Sequence, residues 1–112
     1  MDRTGHTQSL RSTLADDPDY AALIETFIAE LPGRIAAIEA AVRGADAGRL
    51  RTIAHQLKGA APGYGFGPIG DAAASLEACI DASADGSLTR ATDSAMRLAA
   101  LCRSAASGAK PA

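Results

Sequence analysis

The apolar residues of this chain recur every three or four positions over long stretches, and they do not alternate with the two-residue period of a strand. The clearest run lies in the first third of the chain and consists of Ile24, Ile28, Leu31, Ile35, Ile38 and Val42. This spacing places all of these residues on one face of a helix. Alanine is also abundant, which favours helix. The pattern predicts an all-α fold.

Capping residues and prolines divide the chain into a short first helix and four longer ones. Leu10 and Leu14 indicate the short helix, and the run Asp16-Asp17-Pro18-Asp19 is a favourable start for the second. Because the apolar seam keeps its phase across Pro32-Gly33, we expect one kinked helix there rather than two separate helices. Arg43-Gly44 should end it.

Three further helices follow. Asp46 caps a helix predicted from about Ala47 to about Ala61, where Pro62-Gly63 should disturb it. Pro68 opens the next helix, and Asp85-Gly86-Ser87 forms the following turn. The residues expected to face inward in the last two helices are Ile69, Ala72, Leu76, Cys79 and Ile80, then Leu88, Ala91, Ala95, Leu98 and Cys102.

Short connections make neighbouring helices antiparallel, so we predict an up-and-down antiparallel four-helix bundle with a short N-terminal cap helix. The chain should be one domain over residues 1–112, with the bundle at about 18–104 and a flexible, frayed tail from about Ser104 or Ala105 onward. Phe66 is interpreted as a core residue, although a role as an apolar contact for a partner stays open, and Met96 and Leu98 are interpreted as core or near-core residues.

Charge and hydropathy narrow the functional classes. The net charge of −2 over 112 residues provides no general attraction for nucleic acid or anionic lipid. No apolar run approaches the ~20 residues of a bilayer span, and the N-terminus lacks the hydrophobic stretch of a secretory signal, so we expect a cytoplasmic protein with no membrane partner. Cys79 and Cys102 do not form a CxxC pair and are interpreted as buried free thiols.

His55 is the candidate functional residue, because a helical wheel places it opposite the buried side of the third helix. The buried side consists of Leu50, Ile53, Ala54, Leu57, Ala60 and Ala61. The exposed face around the histidine consists of Gly48, Arg51, Thr52, Lys58 and Gly59, with Gln56 at its rim.

Gly59 needs an explanation, since glycine inside a helix costs about 1 kcal/mol relative to alanine. One explanation is that it clears the space beside the imidazole of His55, so that another protein can approach the ring. The alternatives are that Gly59 packs against a neighbouring element or marks an early end of the helix.

The segment His55-Gln56-Leu57-Lys58-Gly59 resembles the H-x-L-K-G motif of histidine phosphotransfer (HPt) domains. The resemblance extends from about Tyr20 to Met96 and includes Phe27, Leu31, Ile35, Ile38, Asp46, Leu50, Ala54, Gly65, Ile69 and the pair Leu76-Glu77. Two features depart from the family pattern: Ala60-Ala61 replace small hydroxyl residues, and Pro62-Gly63-Tyr64 interrupts a stretch that is usually helical.

The resemblance implies that Nε2 of His55 accepts a phosphoryl group from the aspartyl phosphate of one receiver domain and passes it to another. Lys58 would neutralise charge on the phosphoryl oxygens, with help from Arg51. Contacts with the partner would come from Gly59, Arg51, Thr52, Gly48 and Gln56. The implied partners are response-regulator receiver domains and a hybrid histidine kinase, and we expect a monomer.

No nucleotide-binding motif and no carboxylate cluster for magnesium occurs in the sequence, so we expect no enzyme activity without a partner and no intrinsic cofactor. Mg²⁺ is expected in the receiver domain. A non-catalytic helical adaptor and a domain excised from a hybrid kinase remain open as alternatives. A metal-binding bundle is disfavoured, because His6, His55 and the two cysteines offer no usable ligand spacing.

Overall fold

Four α-helices and one turn of 3₁₀ helix make up the part of the chain that the computed structural model describes, which is residues 10–83 and 88–108. They are α1 (Ala21–Arg43), α2 (Ala47–Ala60), the 3₁₀ helix (Ala61–Tyr64), α3 (Gly67–Asp81) and α4 (Ala91–Gly108). Those two ranges contain no strand. The all-α prediction is confirmed.

Neighbouring helices run antiparallel around a closed ring. Phe27, near the start of α1, stacks on Tyr64 just after α2, with ring centroids 4.8 Å apart. Arg34, farther along α1, donates to Gln56, which lies earlier in the chain than Tyr64. α3 packs on α2, and α4 closes the ring by packing on both α3 and α1. The arrangement is the predicted up-and-down four-helix bundle.

The core consists of the side chains that the helical periodicity placed inward. Its largest fully buried members are Phe66, Leu31, Ile38, Leu50, Leu57, Ile69, Leu76, Leu98 and Cys102. Ile28 and Val42 lie at the edge of this core, and Phe27 and Ala41 are buried in their place on α1. Met96 was predicted to lie in or near the core, and this prediction is wrong, since Met96 is 39% exposed.

The two cysteines differ in environment. Cys102 is a buried free thiol as predicted, and desolvation raises its pKa to about 11. Cys79 is also free but only partly buried, so its predicted burial is incomplete.

The connection between α1 and α2 is a tight turn in which Ala45 has a left-handed backbone, with φ of 53°. The N–H groups of Ala45 and Asp46 donate to the carbonyls of Val42 and Ala41, which is the pattern of a Schellman C-cap. Glycine usually occupies the left-handed position, but Gly44 precedes it here, at φ −86°. α1 therefore ends at Arg43, as predicted, and the chain reverses two residues later at Ala45.

α2 gives way to the 3₁₀ turn because Pro62 has no N–H with which to continue the α-helical bonding. Gly65 then reverses the chain with φ of 82°, and a Cβ there would lie 2.9 Å from the backbone nitrogen of Thr13. That nitrogen donates to the carbonyl of Gly65 at 2.9 Å. The predicted disturbance of the helix at Pro62 is confirmed. The hydrogen bond from Thr13 to Gly65 joins the end of this region to the N-terminal segment.

The prediction of an N-terminal cap helix is wrong over the described residues 10–20, because these residues form turns. Leu10 and Leu14 do pack against the core, as their apolar character suggested. Between them, the buried hydroxyl of Ser12 donates to the carbonyl of Tyr64 and accepts from the N–H of Leu14. Such side-chain bonds offer the backbone an alternative to helix.

The start of α1 also differs from the prediction. The helix begins at Ala21, and the carboxylate of Asp17 closes a preceding turn by accepting from the N–H of Asp19. Pro32 lies inside α1 without dividing it, which confirms one helix rather than two.

The predicted frayed tail is wrong for the residues up to 108, because α4 continues to Gly108. Ala105 is buried, and the hydroxyl of Ser104 accepts a hydrogen bond from the N–H of Leu10. The remainder of the tail, His6 and the predicted turn Asp85-Gly86-Ser87 lie outside the described residues. None of the described helices is both long and apolar enough to cross a membrane.

Candidate functional site

His55 lies on the solvent-facing side of α2, with 64% of its side chain exposed. The opposite side of α2 is anchored in the core by its four buried residues, Leu50, Ile53, Ala54 and Leu57. The carboxylate of Asp46 caps the helix by accepting from the N–H of Arg49 at 3.0 Å, as predicted. The rigid helix therefore holds the imidazole toward solvent, which confirms its predicted exposure.

A carboxylate from α3 orients the imidazole. Nδ1 of His55 lies 2.9 Å from Oε2 of Glu77, whose side chain is only 8% exposed. Because an ionised carboxylate can only accept a hydrogen bond, Nδ1 must carry the proton. The neutral ring then has its lone pair on Nε2, and that nitrogen has no partner among the described residues.

Two cations share the same carboxylate. Nζ of Lys58 donates to Oε1 of Glu77 at 2.7 Å, and a terminal guanidinium nitrogen of Arg51 lies 3.3 Å from Oε2. The hydrogen bond from Lys58, followed by that from His55, holds the pKa of the Glu77 carboxyl below its ordinary value. Glu77 is therefore ionised at neutral pH, and both of its oxygens are occupied.

Arg51 makes its principal contact with a second acidic residue of α3. Its Nε and a terminal nitrogen donate to Oδ1 and Oδ2 of Asp81 at 2.6 and 3.2 Å, a bidentate pair. This bond lowers the pKa of Asp81 and raises that of Arg51. Arg51 thus bridges Asp81 and Glu77.

The other residues of the predicted docking face occupy varied positions. Gly59 is exposed, and a Cβ there would meet nothing within 4 Å, so Gly59 does not pack against another described element. The hydroxyl of Thr52 donates to the carbonyl of Gly48 at 3.1 Å, and both residues lie on the exposed face of α2. The side-chain oxygen of Gln56 accepts from Arg34, and its amide nitrogen, which has no partner among residues 10–83 and 88–108, can donate outward. α2 ends at Ala60, one residue after Gly59, which also supports the interpretation that Gly59 marks the end of the helix.

Sequence reasoning did not identify Glu77 and Asp81 as site residues. Glu77 entered only as part of the Leu-Glu pair of the family resemblance. A signal was available, because Glu77 shares the inner stripe of α3 with Ile69, Ala73 and Leu76, where an unpaired charge would be costly. Such a carboxylate requires cationic partners, and the exposed face of α2 supplies them.

No group of three or more histidine, cysteine, aspartate or glutamate side chains with metal-binding geometry occurs in residues 10–83 and 88–108. The centre of the site consists of the exposed imidazole of His55 and the buried carboxylate of Glu77, which is paired with the cations of Lys58 and Arg51. An imidazole with a fixed tautomer and an accessible lone pair is equipped for nucleophilic attack or proton transfer.

Comparison with known proteins identifies the chemistry. The family model described as "Hpt domain" matches residues 22–108, most of the chain, so the chain belongs to the histidine phosphotransfer domain family. It is a histidine phosphotransfer carrier of phosphorelays, an intermediate rather than a classical enzyme, and interacts with receiver domains and histidine kinases. Searches of curated proteins and of solved structures gave no match.

Proposed function

We propose that Nε2 of His55 accepts a phosphoryl group from the aspartyl phosphate of one receiver domain and delivers it to the aspartate of a second. One observation carries the proposal: the exposed ring donates through Nδ1 to the buried carboxylate of Glu77 at 2.9 Å. This bond directs the ring and leaves the nucleophilic nitrogen in solvent.

The transfer is a displacement at phosphorus. The lone pair of Nε2 forms the new N–P bond while the P–O bond to the donor aspartate breaks, and that aspartate leaves as a carboxylate. Nε2 carries no proton in the tautomer set by Glu77, so no base has to remove one. As the ring becomes cationic, the proton on Nδ1 stays hydrogen-bonded to the ionised Glu77, which stabilises the product.

Lys58 supports the reaction from its place on Glu77. The Lys58 side chain is 44% exposed and lies three residues from His55 on the same helical face, so its ammonium can be shared with the phosphoryl oxygens. Phosphoryl transfer depends chiefly on positioning and on neutralising this charge. In the unphosphorylated protein the same ammonium keeps Glu77 ionised.

Gly59 and the rest of the exposed face of α2 form the surface that the receiver domain approaches. The open space beside Gly59 supports this role. The proposal takes the protein as a cytoplasmic monomer without an intrinsic cofactor, with Mg²⁺ bound by the receiver domain. The near-neutral charge balance of the chain is consistent with a local, protein-directed interaction.

The test is transfer from a purified phosphorylated receiver domain, measured as acid-labile, base-stable phosphate on this protein. The wild type should become labelled, and His55→Gln should lose labelling completely while keeping its helix content, since the side chain is largely exposed. His6→Gln, which changes the only other histidine, is the control and should be labelled like the wild type. Acid-labile labelling of His55→Gln at wild-type level would refute the proposal.

A further inference from the structure

The buried carboxylate of Glu77 receives more donors than an orienting residue needs. Its Oε2 atom is shared by Nδ1 of His55 at 2.9 Å and by Arg51 at 3.3 Å, while Lys58 occupies Oε1. His55 and Arg51 therefore approach the same oxygen, His55 through a hydrogen bond and Arg51 through a longer ion-pair contact.

In a direct competition the guanidinium would win. Hydrogen bonds from a cation to a carboxylate are stronger than those from a neutral donor, and arginine forms a bidentate pair that matches both carboxylate oxygens. Arg51 lies one turn before His55 on the same face of α2, within reach of Glu77. A neutral imidazole would be the displaced partner.

In the observed geometry the guanidinium of Arg51 is engaged by another carboxylate, that of Asp81. The edge of the guanidinium formed by Nε and one terminal nitrogen is engaged by both oxygens of Asp81, so a single terminal nitrogen is shared with Glu77. Arg51 thereby stays in a long, one-point contact with Oε2, and the shorter contact is left to His55. Within the described part of the chain, Asp81 forms its hydrogen bonds and ion pair with Arg51 and none with the imidazole.

We propose that Asp81 is a positioning residue that withholds Arg51 from Glu77 and so preserves the Nδ1–H tautomer of His55. The importance of this tautomer for phosphoryl transfer rests on the proposed function above. The positioning itself is a property of the unphosphorylated protein and does not depend on that function.

The experiment is ¹⁵N NMR of the His55 ring in unphosphorylated protein, at alkaline pH so that the ring is neutral. The ¹⁵N shifts of the two ring nitrogens report which one carries the proton. The wild type should be mostly the Nδ1–H tautomer. In Asp81→Asn the fraction of the Nδ1–H tautomer should fall and that of the Nε2–H tautomer should rise, because the released Arg51 displaces the ring from Glu77.

Two further variants separate positioning from a general structural effect. Arg51→Ala combined with Asp81→Asn should restore the wild-type tautomer, because the competitor is gone, and Asp81→Glu should retain it. In transfer from a phosphorylated receiver, Asp81→Asn should be about tenfold slower than the wild type. The double variant should transfer as fast as Arg51→Ala alone.

An unchanged tautomer in Asp81→Asn would overturn the inference, as would a double variant that fails to restore the wild-type ratio. Asp81 is half exposed, so its substitutions should leave the fold intact, which circular dichroism checks. If the tautomers respond as expected but His55→Gln still accepts phosphate, the proposed function fails and the positioning role of Asp81 stands.

Discussion

The two faces of α2 are built by different means. The inner face consists of side chains such as Leu50 and Leu57, which are completely buried against the other helices. On the outer face His55, Lys58 and Arg51 converge on one carboxylate, that of Glu77 from α3. The stabilisation from the inner face depends on the total apolar area removed from water, whereas the arrangement of side chains on the outer face depends on one precisely placed acceptor.

This contrast separates stability from chemistry. An inner-face substitution should change the free energy of unfolding and leave the geometry of the folded site intact. An outer-face substitution should change transfer in a protein that remains folded. Single substitutions on either face test this separation.

Leu57→Ala should lower the free energy of unfolding by about 2–5 kcal/mol, because it leaves a cavity at a fully buried site. Urea unfolding followed by circular dichroism measures this. Leu23→Ala is the matched control, since Leu23 is 51% exposed and its truncation should cost roughly 0.5 kcal/mol or less. Equal losses in the two variants would contradict the assignment of Leu57 to the core.

Gly59→Leu should slow transfer by about a hundredfold or more, because a large side chain would fill the open space beside His55. Stability should rise by about 0.5–1 kcal/mol, since leucine favours helix more than glycine does. Transfer rates and thermal melts of the same samples show whether activity and stability move in opposite directions.

Ala100→Leu is the control for this experiment, because it adds an exposed leucine on α4, which packs on α1 and α3 rather than on α2. It should leave transfer unaffected. Unfolding of Gly59→Leu would instead identify Gly59 as a packing residue and remove the docking argument.

Glu77→Gln should slow transfer by roughly ten- to a hundredfold, as for other groups that orient a functional histidine. The amide no longer stabilises the charge on the ring, and it does not enforce the Nδ1–H tautomer. Stopped-flow transfer from a phosphorylated receiver measures the loss. A wild-type rate would show that Glu77 serves the α2–α3 packing only.

The same carboxylate should affect the pH dependence of stability. Because Lys58 and His55 lower the pKa of Glu77 in the folded protein, the stabilisation is complete above the ordinary carboxyl pKa of about 4. It is lost as the pH falls through the lower folded-state value. The Tm of the wild type should therefore fall more steeply below about pH 4 than that of Glu77→Gln.

Lys58→Ala should give the smallest effect, a decrease in transfer rate of about two- to tenfold, because the ammonium is partly solvated. Lys58→Arg should recover part of the rate, and added salt should narrow the difference from the wild type. Arg49→Ala removes an exposed cation from the same helix and should have little effect. An unchanged rate for Lys58→Ala at low salt would exclude Lys58 from the mechanism.

Sequence patterns predicted the inner face of α2 better than its outer face. The period of the apolar residues sufficed to predict the helices, the buried side of α2 and the exposure of His55. It did not predict that Lys58 is held by Glu77, because that pairing joins residues 19 positions apart on different helices. Local patterns contain no such contact.

The ends of the chain were harder to predict than the helices between them. The acidic run before α1 and the leucines near the N-terminus were interpreted as helix signals, but Ser12 and Asp17 use their side chains to bond nearby backbone groups. Ser104 was predicted to begin a frayed tail. It is held in α4 by a hydrogen bond from Leu10, a contact across almost the whole chain.

In the proposed function, Glu77 fixes Nδ1 of His55 as the proton donor and leaves Nε2 to accept the phosphoryl group. The most direct measurement is ¹⁵N–³¹P correlation NMR of histidine-labelled protein after transfer from a phosphorylated receiver domain. We expect a single phosphorus nucleus coupled to Nε2 of His55, with Nδ1 protonated. Coupling to Nδ1, or phosphate on any other residue, would contradict it.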